Sequence, residues 1–351
     1  MTAPATDGRV ADTAYAGLAA RLERADPAPV VALPDGSVDR YVELSRGGEA
    51  VDARETFGRA VAAGEATEFR ATTRSTDPGG QAPNVARQAA ALGAEASLYG
   101  HLDHEVFEAF AFPTWSFGAP ARVDVHGFDD GDVLFSTPSA DLRSWGIADL
   151  RRVESSAGRL ADAGVVAVSN WVGVPGVADA LRAVPEFVDG AAVLFDPGDV
   201  TPLDDGELDT MAEVLGSLAD ALDGPVVPNV DDDELARLAA YAGCRSESVA
   251  ERLAAVREAF GADGVVLHGV EQAAVCHDGA VVRVPNLDPP ADIVRHTGAG
   301  DRFGGALAVA LAADWPWTPA LALGNVAAVH YLETGESADT AGVRDLLDRR
   351  L

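Results

Sequence analysis

Four short apolar runs dominate the second half of the chain: VVAVSN from Val165, AAVLFDP from Ala191, PVVPN from Pro225 and GVVLHG from Gly264. Between them lie segments with helical spacing, through ADALRAV, from Leu208 to Leu222, and through ELARLAAYAG. Strands separated by whole helices cannot pair as hairpins and instead lie parallel, with the crossover helices covering both faces. The expected fold class is therefore α/β, a doubly wound, mostly parallel sheet flanked by helices.

The first half fits the same frame less regularly. PAPVVALPDGSVDRYVEL reads as a buried strand, a turn at Asp35-Gly36 and a second strand. An amphipathic helix is expected around residues 11–24 and another over 46–66. RATTRSTDP, from Arg70 to Pro78, reads as polar loop or strand. After Gly79-Gly80, NVARQAAALGA has helical spacing that stops at Gly93, and ASLYG is a short strand. ARVDVHGFDDGDVLFST reads as a hairpin about an Asp-Asp-Gly turn that could form a small β lid. AAVCHDGAVVRV reads as a second hairpin at the margin of the main sheet. A single domain over 1–351 is expected, with the lid drawn from about 40–78 and 119–137.

Charge narrows the partners. Aspartate and glutamate number 56 against 26 basic residues, every one an arginine, for a net charge of −30. Such an excess repels nucleic acid and anionic lipid, so no nucleic-acid or membrane partner is expected, and a small anionic substrate would need local arginines. A lysine-free, acid-rich composition resembles cytoplasmic proteins of salt-loving archaea, where salt screens self-repulsion. Two cysteines without zinc-like spacing give no disulfide framework or structural metal. The absence of a long apolar run predicts a soluble, cytoplasmic protein.

The chemistry concentrates at Thr297-Gly298-Ala299-Gly300-Asp301, which runs directly into the small-residue segment RFGGALAVALAA. Glycines let backbone amides approach an anion, and the helix beginning there adds its positive end. A transferring phosphoryl group suits that nest, and the Asp301 carboxylate can take the proton of an attacking hydroxyl. Upstream, Gly79-Gly80-Gln81-Ala82-Pro83-Asn84 opens another helix.

This pair of motifs, in this order, resembles the two signatures of the ribokinase-like, or phosphofructokinase-B, family, and the resemblance spans most of residues 28–340. It implies a nucleotide-dependent kinase in which Gly298, Ala299 and Gly300 form the anion hole, Asp301 is the base, and Gly79, Gly80 and Asn84 bind the acceptor. DGSVDRYVEL resembles the pattern whose aspartate holds sugar hydroxyls, with Asp39 in that place and Asp35 a second candidate. Asn229-Val230-Asp231-Asp232 resembles an Asn-x-x-Glu pattern near magnesium and phosphates, with Asp232 as the metal-linked carboxylate. Gly269 stands in the donor loop, and Asn325 in a small-residue stretch that lines adenine in relatives. YGHLDHE, with His101, Asp103 and His104, occupies a loop that lies near the acceptor in the family.

The implied cofactors are Mg2+ and a phosphoryl donor, ATP by default with ADP as the alternative. The chain departs from the pattern at Arg295 and His296, where relatives activated by potassium carry an Asp-Thr that helps hold the ion. A monovalent-cation site is thus not implied, and either a fixed guanidinium takes over the charge or Arg295 is an ordinary loop residue. Arg70, Arg74 and Arg295 suit an acceptor that already bears phosphate. Ribose 1-phosphate is the specific expectation; a free sugar such as ribose or fructose, a nucleoside, or loss of catalysis are the alternatives. Many relatives dimerise through the lid, so a homodimer is in range.

Overall fold

The computed structural model describes residues 13–64, 68–129 and 131–351. Residues 11–12 of the first expected helix, 65–66 of the second and Asp130 of the hairpin turn lie outside that description.

Fourteen strands are formed by the described residues: β1 Val30–Leu33, β2 Ser37–Arg46, β3 Glu49–Ala50, β4 Arg70–Gly79, β5 Ala96–Gly100, β6 Thr114–Ser116, β7 Ala121–Phe128, β8 Gly131–Thr137, β9 Val165–Ser169, β10 Ala192–Asp196, β11 Val226–Val230, β12 Gly264–His268, β13 Gln272–His277 and β14 Ala280–Pro285. Nine make one sheet in the order β14-β13-β12-β11-β10-β9-β1-β5-β6. From β6 to β12 every pairing is parallel, while β13 and β14 form the antiparallel margin expected of AAVCHDGAVVRV. The α/β reading of the apolar runs is thereby correct.

Period-two alternation divides the core. Val31, Leu33, Val166, Val168, Val193 and Phe195 pack on one face, and Val30, Val165, Ala192 and Leu194 pack on the other with the helices Ala299–Ala312 and Trp317–Thr334. Burying both faces is what makes these strands almost wholly apolar. The helices between them begin on side-chain caps: Asp204 and Glu207, and again Asp231 and Glu234, satisfy each other's first-turn amides.

Sequence neighbours of β1 lie on one side of it and β9 on the other, so the strand order reverses there. A ligand crevice in an open parallel sheet sits beyond the carboxyl ends of the strands at such a reversal.

The remaining strands form a second sheet of five, β3-β2-β7-β8 with β4 on β2. It has its own small core of Val42, Leu44, Val51 and Phe128, packed against Phe57, Phe69 and Val133. The helix expected over 46–66 is confined to Arg54–Ala62. β2 instead runs on to Arg46 and turns at Gly47-Gly48 into β3, because this stretch pairs its backbone within the sheet. Arg70–Gly79 is a full strand antiparallel to β2. Helices Ile147–Ala157 and Val249–Ala259, not foreseen from the sequence, complete the outer layers. Among the described residues no helix is long and apolar enough to cross a membrane.

Candidate active site

A cleft of about 820 Å³ opens where the strand order reverses, between the carboxyl ends of the main sheet and the inner face of the second sheet. Its size suits a small polar ligand pair. It gathers Asp35 after β1, Asn170 after β9, Asp196 at the end of β10, Asp231 after β11 and His268 ending β12. The turn from His296 to Asp301 closes it.

The Thr297–Asp301 turn takes the shape that its glycines permit. Gly298 adopts φ 99°, a left-handed conformation that side chains disfavour, and this aims the following amides along the axis of the helix Ala299–Ala312. Asp301 lies in the first turn of that helix, and Asn84 Nδ2 donates to its Oδ2 at 2.8 Å. Burial, and next repulsion from Asp196, push the Asp301 carboxyl up to about 7. A carboxylate poised near neutrality and facing an open cleft is placed as a proton acceptor.

Asp39 projects from β2 into the same cleft, accepting a hydrogen bond from Ser37 Oγ at 2.5 Å. Burial raises it to about 6, with the Ser37 bond opposing the shift and Asp301 adding to it. Gly79 crosses directly over this carboxylate, and any side chain there would run into it. Gly80, at φ 100°, then starts the helix Gln81–Ala91 that carries Asn84. Asp35, the second sugar-holding candidate, is otherwise engaged. Its oxygens accept from the amides of Gln81 at 3.1 Å and Ala82 at 2.8 Å and from Asn170 Nδ2 at 2.9 Å, anchoring the start of that helix. His101 lies behind this loop, fully buried, its Nδ1 2.9 Å from the Pro34 carbonyl.

The opposite end of the cleft is acidic. Asp196 Oδ1 accepts from Gln81 Nε2 at 2.6 Å and from the Gly198 amide at 3.1 Å, and its Oδ2 accepts from Asn229 Nδ2 at 3.3 Å. Burial nonetheless lifts Asp196 to about 6, and burial with repulsion from Asp196 and Asp231 lifts Glu234 to about 9. Asn229 is fully buried between Asp196 and His268, whose Nδ1 is 3.3 Å from Asn229 Oδ1. Asp232, expected as the metal-linked carboxylate, does not line the cleft. Asp232 turns away from the cleft, packs on Gly269 and accepts from the Val270 amide at 2.8 Å, which fixes the end of β12. Glu234, two residues on, faces the cleft in its stead. The helix screw decides this: Asp231 takes the cap, and the reciprocal bond swings Glu234 back over the strand end.

Burial is the main reason that both Asp196 and Glu234 are shifted upward, and a divalent cation beside them would offset that cost; their hard oxygen donors suit magnesium. Among the described residues no three His, Cys, Asp or Glu are grouped to hold a metal directly.

Besides Asp232, Arg70, Arg74, Arg295 and Asn325 are not brought to the cleft. Arg70 pairs opposite Ser45, nine positions along β4 from Gly79, roughly 30 Å away at strand rise. Arg74 is an exposed partner of Glu43. Arg295 lies beside the cleft with its guanidinium committed: Nη2 donates to Asp77 at 2.6 Å, and the group stacks 4.2 Å from the Tyr41 ring and against Gly335. Asn325 is buried in the helical layer and donates to the Tyr15 hydroxyl at 2.8 Å, which itself donates to the Pro285 carbonyl. Its amide ties the N-terminal segment to the sheet. Asp196 and Asn170 were not singled out from the sequence because each is a lone polar residue at the end of a buried strand; Glu234 stood in an acidic helix start, and Gln81 inside the Gly79–Asn84 motif without a role of its own.

The model of the prokaryotic ketohexokinase family matches residues 40–350. A ketohexokinase of Haloferax volcanii is 28% identical over 344 residues, spanning 89% of this chain and 89% of that protein. The structure of Arabidopsis thaliana ribokinase complexed with ribose and ATP is similar at TM-score 0.65 with 22% identity, covering 92% of this chain and 98% of that one. Phosphofructokinase-2 from Escherichia coli in complex with fructose-6-phosphate is similar at TM-score 0.63 with 15% identity, covering 92% and 99%. The structural likenesses establish a ribokinase-like fold, the family match spans the cleft from residue 40 onward, and the chain belongs to the prokaryotic ketohexokinase family.

Proposed function

We propose that this sugar kinase moves the terminal phosphoryl group of ATP to a hydroxyl of an uncharged ketose, with fructose the first acceptor to try. The observation that carries this reading is the charge of the cleft. Seven carboxyl groups line it, from Asp35, Asp39, Asp196, Asp199, Asp231, Glu234 and Asp301, and among the described residues no arginine does. A phosphate on the acceptor would meet that field without a guanidinium to receive it. The arginines that favoured a sugar phosphate are spent elsewhere, on Glu43 and Asp77 or far along β4. Ribose 1-phosphate therefore gives way to a neutral ketose, and the name of the Haloferax volcanii relative points to the same substrate class.

In this reading Asp39 and Asn84 orient the acceptor, and Asp301 takes its proton as the hydroxyl attacks. Asn84 holds Asp301 in place with its amide hydrogen bond. The amides of Gly298, Ala299 and Gly300 offset charge on the transferring group. Asp196, Glu234 and Asp231 would hold magnesium through water, and that ion would neutralise donor phosphate charge when bound. The second sheet acts as a lid: Val123, Leu134 and Ser136 cover the acceptor end and keep water from competing.

The test is an acceptor matrix of fructose, ribose, fructose 6-phosphate and ribose 1-phosphate against ATP and ADP, in molar potassium chloride with magnesium. Fructose with ATP is expected to exceed either sugar phosphate in kcat/KM by about 100-fold, as repulsion of a few kcal/mol requires. A preference for a phosphorylated acceptor would sink the reading.

A further inference from the structure

The turn that starts the catalytic helix is held from the second sheet, 165 residues away in sequence. Asp132 Oδ2, near the tip of the β7–β8 hairpin, accepts from Thr297 Oγ1 at 2.6 Å and from the Thr297 amide at 3.1 Å. On the other side the Tyr331 hydroxyl donates to the Thr297 carbonyl at 3.1 Å. Tyr331 is buried and carries the fully buried Arg302 guanidinium 4.6 Å from its ring centre. Every polar group of Thr297 is thus engaged, two of the three by a residue that belongs to the covering sheet.

Two features argue that this contact has a purpose. First, a carboxylate beside an anion-binding turn adds repulsion to a cleft already crowded with acids, so its presence is a cost that its hydrogen bonds must offset. Second, side chains alternate along a strand, so Asp132, Leu134 and Ser136 share one face of β8. Leu134 and Ser136 line the cleft. An acceptor seated beneath them presses on the same face that delivers Asp132 to Thr297. The joints between this sheet and the turn are polar: Asp132 with Thr297, Arg295 with Asp77, and Arg295 over Tyr41. The outer part of the sheet has its own apolar core, while the bases of β2 and β7 pack through Val38 and Ala121 into the cores beneath. The β7–β8 tip can therefore lift from the turn by breaking hydrogen bonds while the base of the sheet stays packed.

We propose that Asp132 is a positioning residue for phosphoryl transfer, fixing the Thr297–Gly300 turn while its strand covers the acceptor site. A sugar seated beneath the strand stabilises that covering and with it the anion-binding turn. Asp132 touches neither substrate; it acts through Thr297. The proposal rests on the kinase reading above, and its test is arranged so that the two fail separately.

The test compares full-length wild type, D132A and D132N. Alanine removes both bonds, whereas the asparagine amide oxygen can still accept both. D132A is expected to lose about 30- to 100-fold in kcat, the scale of a misplaced catalytic group, with the ATP KM changed by less than about threefold. D132N should recover to within about threefold of wild type, because the bond geometry and not the charge is what it restores. Hydrogen exchange of the amides at 297–301, read without substrate, should quicken in D132A and not in D132N. Should D132A not fold, T297V removes the shorter bond alone and is expected to lose about tenfold in kcat, while T297S keeps both. Near-normal kcat in D132A or T297V would overturn the proposal. So would a D132N defect as deep as that of D132A, or a loss confined to the ATP KM. If wild type transfers phosphate to no neutral sugar while D132A still speeds exchange at 297–301, the substrate reading fails and the contact stands.

Discussion

At the residue scale the central fact is a carboxyl group that the fold holds against its own preference. Asp301 sits at about 7 because it is buried and repelled by Asp196, with only the Asn84 amide as a direct donor. Free aspartate ionises at 3.8, so between these values the folded chain holds a proton that the unfolded chain has released. Stability is thus lost as pH rises toward 7, and the cost of the buried charge is fully present above it. Asp301→Asn is expected to raise stability above neutral pH by on the order of 3 kcal/mol, an advantage that shrinks toward pH 4, measurable by thermal melts across pH. The same variant should lose about 10²- to 10⁴-fold in kcat through loss of the base. In wild type, kcat/KM should fall on the acid side with an apparent value near 7. A variant that melts lower at pH 8, or that keeps its turnover, would contradict this account of Asp301. The motif around it was legible because glycines and an aspartate at fixed spacing announce a chemistry; Glu234 was not, because only the capping geometry of its helix decides that it, and not Asp232, faces the cleft.

At the scale of elements, the second sheet is a cooperative unit with its own small core. Phe57 lies 5.1 Å from Phe69 and 5.8 Å from Phe128, ring to ring, and these aromatics with Val42, Leu44 and Val51 hold its strands together. Phe128→Ala should cost about 3 kcal/mol, and the loss should be local. Hydrogen exchange is expected to quicken over β2, β4, β7 and β8 while β1 and β9 to β12 keep their protection, and acceptor KM should rise because Asp39, Val123 and Leu134 ride on the sheet. Uniform loss of protection through the main sheet would show that the two sheets open as one. The strands of the main sheet were legible from apolar runs bounded by helices. The span 46–66 was not, since its sequence supports a helix locally, and only pairing of β2 with β3 and β4 draws part of it into the sheet.

For the whole molecule the net charge of −30 sets the terms of stability. The surface carries far more acids than the available arginines can pair, and exposed pairs such as Arg59 with Glu55 or Arg151 with Glu186 contribute little each. Salt shortens the range of repulsion from roughly 10 Å at 0.1 M to roughly 3 Å at 1 M, so the melting temperature should climb by several degrees over that range in potassium chloride. Sucrose of equal osmolality should give a smaller rise. Equal rises in salt and sucrose would place the effect in solvent exclusion and not in charge.

Composition and spacing alone determined the α/β class, the acidic surface, and the glycine turn at 297–301 with its aspartate, because each is written in consecutive residues whose physics is local. Tertiary structure decided the rest. The distance along β4 takes Arg70 and Arg74 away from the acceptor, and Asp77 with Tyr41 claims Arg295. Burial between helices claims Asn325, and two strand ends and a helix start from three places in the chain supply Asn170, Asp196 and Glu234. Charge on a substrate is read by everything within a few ångströms of it, and which residues those are is a property of the folded cleft.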